Sequence, residues 1–291
     1  MLGIKPITLF LLKMIQPLIM KMKKNMIQET LCCKADLHEY LKSVCLLLAD
    51  YASNMLSAGA TSHIIEDSIR KIAKAYDVET ELSILPRRVL VVVYSDGHNH
   101  SYTTVGKTIR WGINLAVICA LSRLAGKLEQ ERVSVAEAAE KMEAASAVGS
   151  SSRWFTLLSV ACANASFCKL FGGDFAAMAI VFFATLDGFY IKQRLLGWRV
   201  DGRIVVFVSS LFASIIGASG IIFQIGDTPD IALGTSVLFL VPGIPFINAM
   251  SDMLHGHHLC AMSRLTEAVI ATVCLSLGLC AALQLTRIGW S

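Results

Sequence analysis

Five apolar segments dominate the second half of the chain, and each is about as long as a helix that crosses a lipid bilayer. They lie at residues 154–171, 174–191, 204–225, 231–254 and 260–285. Residues 154–291 hold only seven of the 26 Lys and Arg residues and seven of the 22 Asp and Glu residues. Because a helix needs roughly 20 mainly apolar residues to span the hydrocarbon layer, the pattern predicts a membrane protein with five transmembrane helices in residues 151–291.

The preceding residues, 31–150, carry most of the charges and predict a small α+β domain. Four stretches predict helices, at residues 38–58, 62–76, 106–128 and 134–146. Between the second and third of them, the runs "VETELSIL", "RVLVVVYSD" and "HSYTTV" alternate or are rich in β-branched residues, with the turns "PRR" and "GHN" between them. These runs predict a short antiparallel strand meander.

The loops between the apolar segments predict an orientation in the inner membrane. The loop "KQRLLGWRVDGR" contains four basic residues, whereas the loop "GDTPD" contains only acidic ones. Positively charged loops stay on the cytoplasmic side, so the first loop is expected inside and the second outside. With five spans, the N-terminal domain is then cytoplasmic and the C-terminus is external.

Residues 1–30 fit neither domain. The stretch resembles a signal peptide superficially, but it has no small-residue cleavage site, and Lys13 and Pro17 interrupt its apolar run. We treat it as an N-terminal extension that is either disordered or the product of a start codon placed too far upstream.

Two prolines interrupt the fourth apolar segment near its middle, in the stretch "FLVPGIPFINAM". Pro242 and Pro245 lack the N–H groups that would bond four residues back, which predicts a break that frees the carbonyls of Leu238 and Val241. Transporters use such discontinuous helices to bind ions and substrates at mid-depth in the membrane. The break therefore predicts a binding site, with a kink that merely improves packing as the alternative.

A few polar side chains within or beside the apolar segments are further candidates for contact with a substrate, since a charge in lipid is costly unless it is paired or hydrated. The candidates are Lys169, Asp187, Arg264, Glu267, Asn164 and Asn248. Lys169 and Asp187 are near segment ends, where they could instead reach the interface. Arg264 could pair with Glu267, three residues away, and Asp187 or Glu267 could carry a proton.

Small residues recur every four positions in two of the segments. The third segment has Ser210, Ser214 and Ala218, and the fifth has a longer stripe. That longer stripe consists of Ala268, Thr272, Ser276 and Cys280. Such stripes let helices approach closely in lipid, so each predicts a contact within this chain or with a second protein.

Other classes of function have little support in the sequence. The net charge of +4 is spread out, which argues against nucleic acid as a partner. We find no Walker A, GxSxG, SxxK or HExxH motif, and the nine cysteines form no CxxC pair. The segment "DMLHGHHLC" groups Asp252 with three histidines, but a solvated turn explains it better than a zinc site. We therefore expect neither a metal nor a cofactor.

Several stretches together resemble the threonine/serine exporter family, over roughly residues 40–285. They are "LSAGATSHIIEDSIRKIA", "ASFCKLFGGDFAAMAIVFFAT" with "YIKQRLLG", "LVPGIPFINAMSDMLHGH" and "RLTEAVIATVCLSLGLCAAL". The resemblance is strongest to the split, shorter members, which rely on a separate small membrane protein, and it does not cover the N-terminal extension. It implies secondary transport out of the cell, with Pro242, Gly243, Pro245 and Asn248 on the substrate path and Lys169 as a cation for a carboxylate.

The sequence thus predicts a subunit of a secondary transporter that exports a small carboxylate or amino acid, such as succinate, threonine or serine, together with a second multi-span subunit. One alternative is a membrane-anchored enzyme that uses His63, Glu66 and Asp67 of the front domain as acid and base. Another is a regulatory or scaffolding subunit that conducts nothing.

Overall fold

The computed structural model of the protein describes residues 37–95, 100–108, 112–131, 133–147 and 152–286. The chain divides into two compact units, Met1–Val148 and Gly149–Ser291. The N-terminal extension lies outside the described residues, so its predicted state stays a prediction.

The described residues of the first unit form four helices and three strands. They are α1 (37–57), α2 (Ser62–Ala75), β1 (Glu79–Leu85), β2 (Arg88–Tyr94), β3 (Ser101–Lys107), α3 (Leu115–Gln130) and α4 (Val135–Ser146). The strands form one antiparallel sheet in the order β1, β2, β3, which confirms the predicted meander. The alternation of β2 buries Val89, Val91 and Val93, the face on which the apolar residues of the unit collect.

Helix α1 forms much of the core of this unit. Leu48, Tyr51 and Met55 are almost completely buried, and the Tyr51 hydroxyl donates to the carbonyl of Leu121 on α3 at 3.0 Å. The sheet approaches α1 closely at Gly106, where an added Cβ would lie 2.9 Å from the carbonyl oxygen of Ala49. A glycine at this point of β3 therefore lets the sheet rest on the helix.

The helix predicted at residues 106–128 starts later than the sequence suggested. Residues 106 and 107 belong to β3, where Gly106 pairs with Val89, and α3 begins only at Leu115. The start is fixed by Asn114, whose side-chain oxygen accepts a hydrogen bond from the Val117 N–H at 3.3 Å. Pairing with β2 thus overrides the local pattern at the beginning of the predicted helix.

The second unit is entirely helical in its described part. Its elements are α5 (Arg153–Leu170), α6 (Phe175–Gly197), α7 (Gly202–Ile222), α8 (Pro229–Thr235), a 3₁₀ turn (Leu238–Leu240), α9 (Gly243–Leu254) and α10 (His258–Thr286). By length and hydropathy, α6, α7 and α10 are each able to cross a membrane, and the bent pair formed by α8 with the 3₁₀ turn and α9 is a fourth candidate. Helix α5 has 18 residues and carries a basic residue near each end. The count of five spans therefore stays a prediction.

Helix α7 packs against α6, α8 and α10. Its predicted stripe of Ser210, Ser214 and Ala218 is completely buried, so this stripe forms contacts within the chain. The Ser210 hydroxyl donates to the carbonyl of Leu275 on α10 at 2.7 Å. Gly278 of α10 also faces α7, because an added Cβ there would lie 2.5 Å from the carbonyl oxygen of Phe207.

The stripe predicted on α10 is only partly buried. Ala268 is buried, but Ser276 and Cys280 are exposed, and the buried face of the helix continues through Gly278 and Ala282 instead. The reason is geometric: steps of four residues advance about 400° in a helix of 3.6 residues per turn, so the stripe rotates by about 40° per step. Its second half therefore leaves the face that contacts α7.

Prediction on helix packing. Gly278→Ala should lower the stability of the second unit, because the new methyl group would lie 2.5 Å from the carbonyl oxygen of Phe207, a backbone atom that cannot easily move aside. We expect a loss of about 1–3 kcal/mol, typical of overpacking, measured as a lower unfolding temperature of the detergent-solubilised protein. Gly197→Ala is the matched control, since an added Cβ at Gly197 meets nothing within 4 Å. Equal unfolding temperatures for the two variants would contradict the close approach of α7 and α10.

Candidate functional site

The fourth apolar segment is broken where the two prolines predict. Helix α8 ends at Thr235, a single 3₁₀ turn follows, and α9 begins at Gly243. The two halves are bent by 57° relative to each other. Pro245 lies in the first turn of α9, where a missing N–H costs no helical hydrogen bond. The segment is thus two half-helices joined by a short connection.

The carbonyls at the break are not free, so that prediction is wrong. The Leu238 carbonyl accepts from the Val241 N–H at 3.1 Å, and the Val241 carbonyl accepts from the Gly243 N–H at 2.8 Å. Tight turns therefore replace the helical bonds that the prolines prevent. They also reduce the donors at the start of α9, because the Gly243 N–H is used and Pro245 has none. This helix start is consequently a poor anion site.

The break lies on the surface of this chain. Val241 and Ile244 are 47% and 40% exposed, and an added Cβ at Gly243 would meet no atom within 4 Å. Asn248, one turn further along α9, is half-buried. A solute that used this part of the segment would therefore run along the outside of the chain, and something else would have to enclose it.

Asn164 joins three helices at the other end of the break. Its side chain is 3% exposed, and its amide nitrogen donates to the Thr185 hydroxyl on α6 at 2.7 Å and to the Thr235 carbonyl at 3.1 Å. Thr235 is the last residue of α8, whose carbonyl has no helical partner of its own. Asn164 therefore supplies a hydrogen bond that the broken helix needs.

Lys169 lies at the C-terminal end of α5 and is exposed. Its Nζ is 3.4 Å from the Gly173 carbonyl oxygen and 5.1 Å from the centre of the Phe175 ring. Neither neighbour belongs to the break. Asp174, in the same loop, accepts a hydrogen bond from the Asp227 N–H at 2.9 Å and so connects this loop to the one before α8. The structure does not bring Lys169 together with the other predicted site residues.

A buried ion pair connects α9 to α10. The Arg264 Nε lies 3.3 Å from Oδ2 of Asp252, and the two side chains are 6% and 0% exposed. The predicted partner of Arg264, Glu267, is half-buried, as is Asp187 on α6. The prediction that Arg264 pairs with Glu267 is therefore wrong, because its partner is the carboxylate of Asp252.

The interpretation of "DMLHGHHLC" as a solvated turn is also wrong at its first residue. Asp252 belongs to the last turn of α9 and is inaccessible to solvent, although its histidine neighbours had suggested a loop. Within the described residues, no group of three or more His, Cys, Asp or Glu side chains is arranged to hold a metal ion. The sequence contained one signal for the burial of Asp252. Asp252 lies three positions after Ala249, which is buried, and residues three apart share a side of a helix.

Two serine hydroxyls of α7 add to the buried polar surface of this unit. The Oγ atoms of Ser209 and Ser214 are inaccessible and have no hydrogen-bond partner among the described residues. Ser236, just before the 3₁₀ turn, is buried against α7, since an added Cβ at Gly217 would lie 2.8 Å from its Cβ. Ser236 thus places a polar side chain at the contact between α7 and the connection at the break.

Asp67, one of the acid and base candidates for an enzyme in the front domain, has a simpler explanation. Oδ2 of Asp67 accepts a hydrogen bond from the Lys71 ammonium at 2.7 Å, and both side chains are exposed. That hydrogen bond lowers the pKa of Asp67 below its usual value. An exposed ion pair between residues four apart on a helix is an ordinary surface feature, so it does not support an acid or base role.

Comparison with known proteins decides the family. A family model described as "Putative threonine/serine exporter" matches residues 47–286, which is most of the chain and includes the broken segment and the ion pair. The chain belongs to the threonine/serine exporter family. It is therefore a membrane transport protein, as the resemblance in the sequence indicated.

Individual relatives agree with this assignment. A "Probable succinate transporter subunit YjjP" from Klebsiella aerogenes is 27% identical over 255 residues, which cover 86% of this chain and 97% of the relative. A protein with the same description from Escherichia coli strain K12 is 29% identical over 241 residues, covering 81% and 92%. A protein from Haemophilus influenzae described as uncharacterized is 22% identical over 271 residues. No solved structure matches the chain.

Prediction on the helix junction. Asn164→Ala should destabilise the second unit by about 1–2 kcal/mol, because it removes both hydrogen bonds and leaves the Thr235 carbonyl without its donor. Thermal unfolding in detergent measures the loss. Ser166→Ala is the matched control on the same helix, since the Ser166 hydroxyl is exposed and bonds only to Cys162 of its own helix. If both variants unfold at the wild-type temperature, Asn164 does not hold α8.

Proposed function

We propose that this chain is one subunit of a gradient-driven exporter that carries a small carboxylate or amino acid out of the cell. Membership in the exporter family supports the direction of transport, and the description of two relatives as succinate transporter subunits supports a carboxylate. The structural observation that carries the proposal is the broken segment, because an interrupted helix is retained in lipid where it serves a binding site or a pathway.

The substrate path runs along the break, past Pro242, Gly243, Pro245 and Asn248. Open space beside Gly243 supports this position, since a solute could approach the main chain there. The exposure of Val241 and Ile244 means that this chain supplies one wall of the path. The other wall comes from a second membrane subunit, a role consistent with the word "subunit" in the relatives' descriptions.

The protein lies in the inner membrane with the first unit in the cytoplasm and the C-terminus outside. Support comes from Arg199, in the loop after α6, and from Arg203, in the first turn of α7. At the same end, the Trp154 and Tyr190 rings stack at 6.4 Å, and the Arg194 guanidinium lies 5.8 Å from the Trp198 ring. Aromatic and basic residues gather at the membrane surface in this way. Helix α5 then completes five spans.

Prediction on transport. Cells that express this chain with its partner subunit should release preloaded labelled succinate, threonine or serine faster than cells without it. The measurement is the rate of efflux of each solute, at equal growth and loading. Unchanged efflux of all three solutes would exclude an exporter of these substrates. Efflux that requires the partner but not this chain would mean that this chain conducts nothing, as expected of a regulatory or scaffolding subunit.

Prediction on the path. Gly243→Phe should abolish efflux, because an added Cβ at Gly243 meets nothing within 4 Å and the ring would occupy the open space beside the break. Gly234→Phe is the matched control: Gly234 is also exposed and an added Cβ there also meets nothing within 4 Å, but it lies on α8 before the break. Both variants should reach the membrane in wild-type amounts. Co-purification of the partner shows whether Gly243→Phe blocks the path or the assembly, and wild-type efflux in this variant would contradict the proposed path.

A further inference from the structure

Among the described residues, Asp252 and Arg264 are the only charged residues that are buried. They belong to the half-helix that follows the break and to the helix that packs against it. Removing two charges from water costs several kcal/mol per ion, and apolar residues would often pack as stably. A pair of this kind in a membrane unit therefore indicates a function.

Asp252 lies one turn beyond Asn248 on α9 but on the side of the helix opposite Gly243, because the nine residues that separate Gly243 from Asp252 rotate by about 180°. Asp252 follows Asn248 by four residues, so the two side chains lie on the same side of the helix. Gly243 is nine residues before Asp252, which corresponds to about 13 Å along a helix axis. The pair is therefore beyond the break, at the end of α9 that precedes the turn to α10.

The chemistry of the two groups defines what can replace either of them. Arg264 has a planar guanidinium whose donors match the two oxygens of a carboxylate. The Asp252 carboxylate already occupies this guanidinium, with its Oδ2 3.3 Å from the Arg264 Nε. A carboxylate from a solute would offer the same acceptor atoms, so an exchange of one for the other leaves the buried arginine paired throughout. The arginine charge is never left unpaired, and the displaced Asp252 then needs a new partner.

We propose that Arg264 binds the carboxylate of the transported solute and that this carboxylate displaces Asp252, which occupies Arg264 when no solute is present. The proposal rests on the proposed export function and specifies its binding site. It replaces Lys169 as the cation for the substrate, since the contacts of Lys169 are within its own loop.

The displaced Asp252 distinguishes two sources of the carboxylate. An amino acid also carries an ammonium group, which Asp252 would accept once it has left Arg264. A dicarboxylate carries a second negative charge, which Asp252 would repel. Asp252→Asn therefore has opposite effects: it weakens binding of an amino acid and strengthens binding of a dicarboxylate.

The experiment measures calorimetric binding of threonine and of succinate to the purified chain with its partner subunit. Arg264→Lys keeps the charge but loses the planar donor pair, so the affinity for the transported solute should fall about tenfold or more. Arg203→Lys, the same change at an exposed position in the first turn of α7, should leave affinity unchanged. Asp252→Asn should lower affinity about tenfold for threonine if an amino acid is carried, or raise it severalfold for succinate if a dicarboxylate is carried.

The double variant Asp252→Asn with Arg264→Gln is the control for folding, because a neutral hydrogen-bonded pair replaces the two ions. It should unfold at about the wild-type temperature and bind neither solute. Wild-type affinity in Arg264→Lys, equal affinities before and after Asp252→Asn, or the absence of binding to the wild-type protein would each overturn the carboxylate exchange. Efflux by the wild-type complex together with unchanged binding in Arg264→Lys would leave the export function standing and reject only this site.

Discussion

The satisfaction of main-chain hydrogen bonds in lipid is the constraint on which the second unit depends. Inside a bilayer no water is available for an open carbonyl, so an interrupted helix needs partners from its own turns or from side chains. Here the carbonyls of Leu238 and Val241 are used in tight turns, and that of Thr235 is bonded by Asn164. The break is thus stabilised from within, and it can persist as a fixed feature of the molecule.

This stabilisation requires close helix packing around α7. Small side chains on α7 and glycines on its neighbours bring the backbones near enough for hydrogen bonds such as that from Ser210 to Leu275. At Gly188 of α6, an added Cβ would lie 2.8 Å from the Phe239 ring, so the 3₁₀ turn at the break rests directly on α6. The position of the break therefore depends on residues that are far from it in sequence.

The two charged groups buried in this unit are placed differently from the hydrogen-bonded junction. The amide nitrogen of Asn164 bonds to Thr185 and to the end of α8, whereas the ion pair contains in Asp252 a carboxylate, the same group that a carboxylate solute carries. The hydrogen-bonded junction and the ion pair thus occupy opposite ends of the broken segment. The exposed break between them is the surface that, in our proposal, a second subunit covers.

Local patterns in the sequence determined which parts of the chain are apolar helices, where the fourth segment breaks and where the strand meander lies. Each depends on hydropathy, on proline or on alternation over a few residues. The tertiary structure alone decided that Arg264 pairs with Asp252, that Asn164 bonds to Thr235 and that α10 turns Ser276 outward. These outcomes depend on which helices meet and at what rotation. The spacing of residues along one helix does not reveal which other helices pack against it.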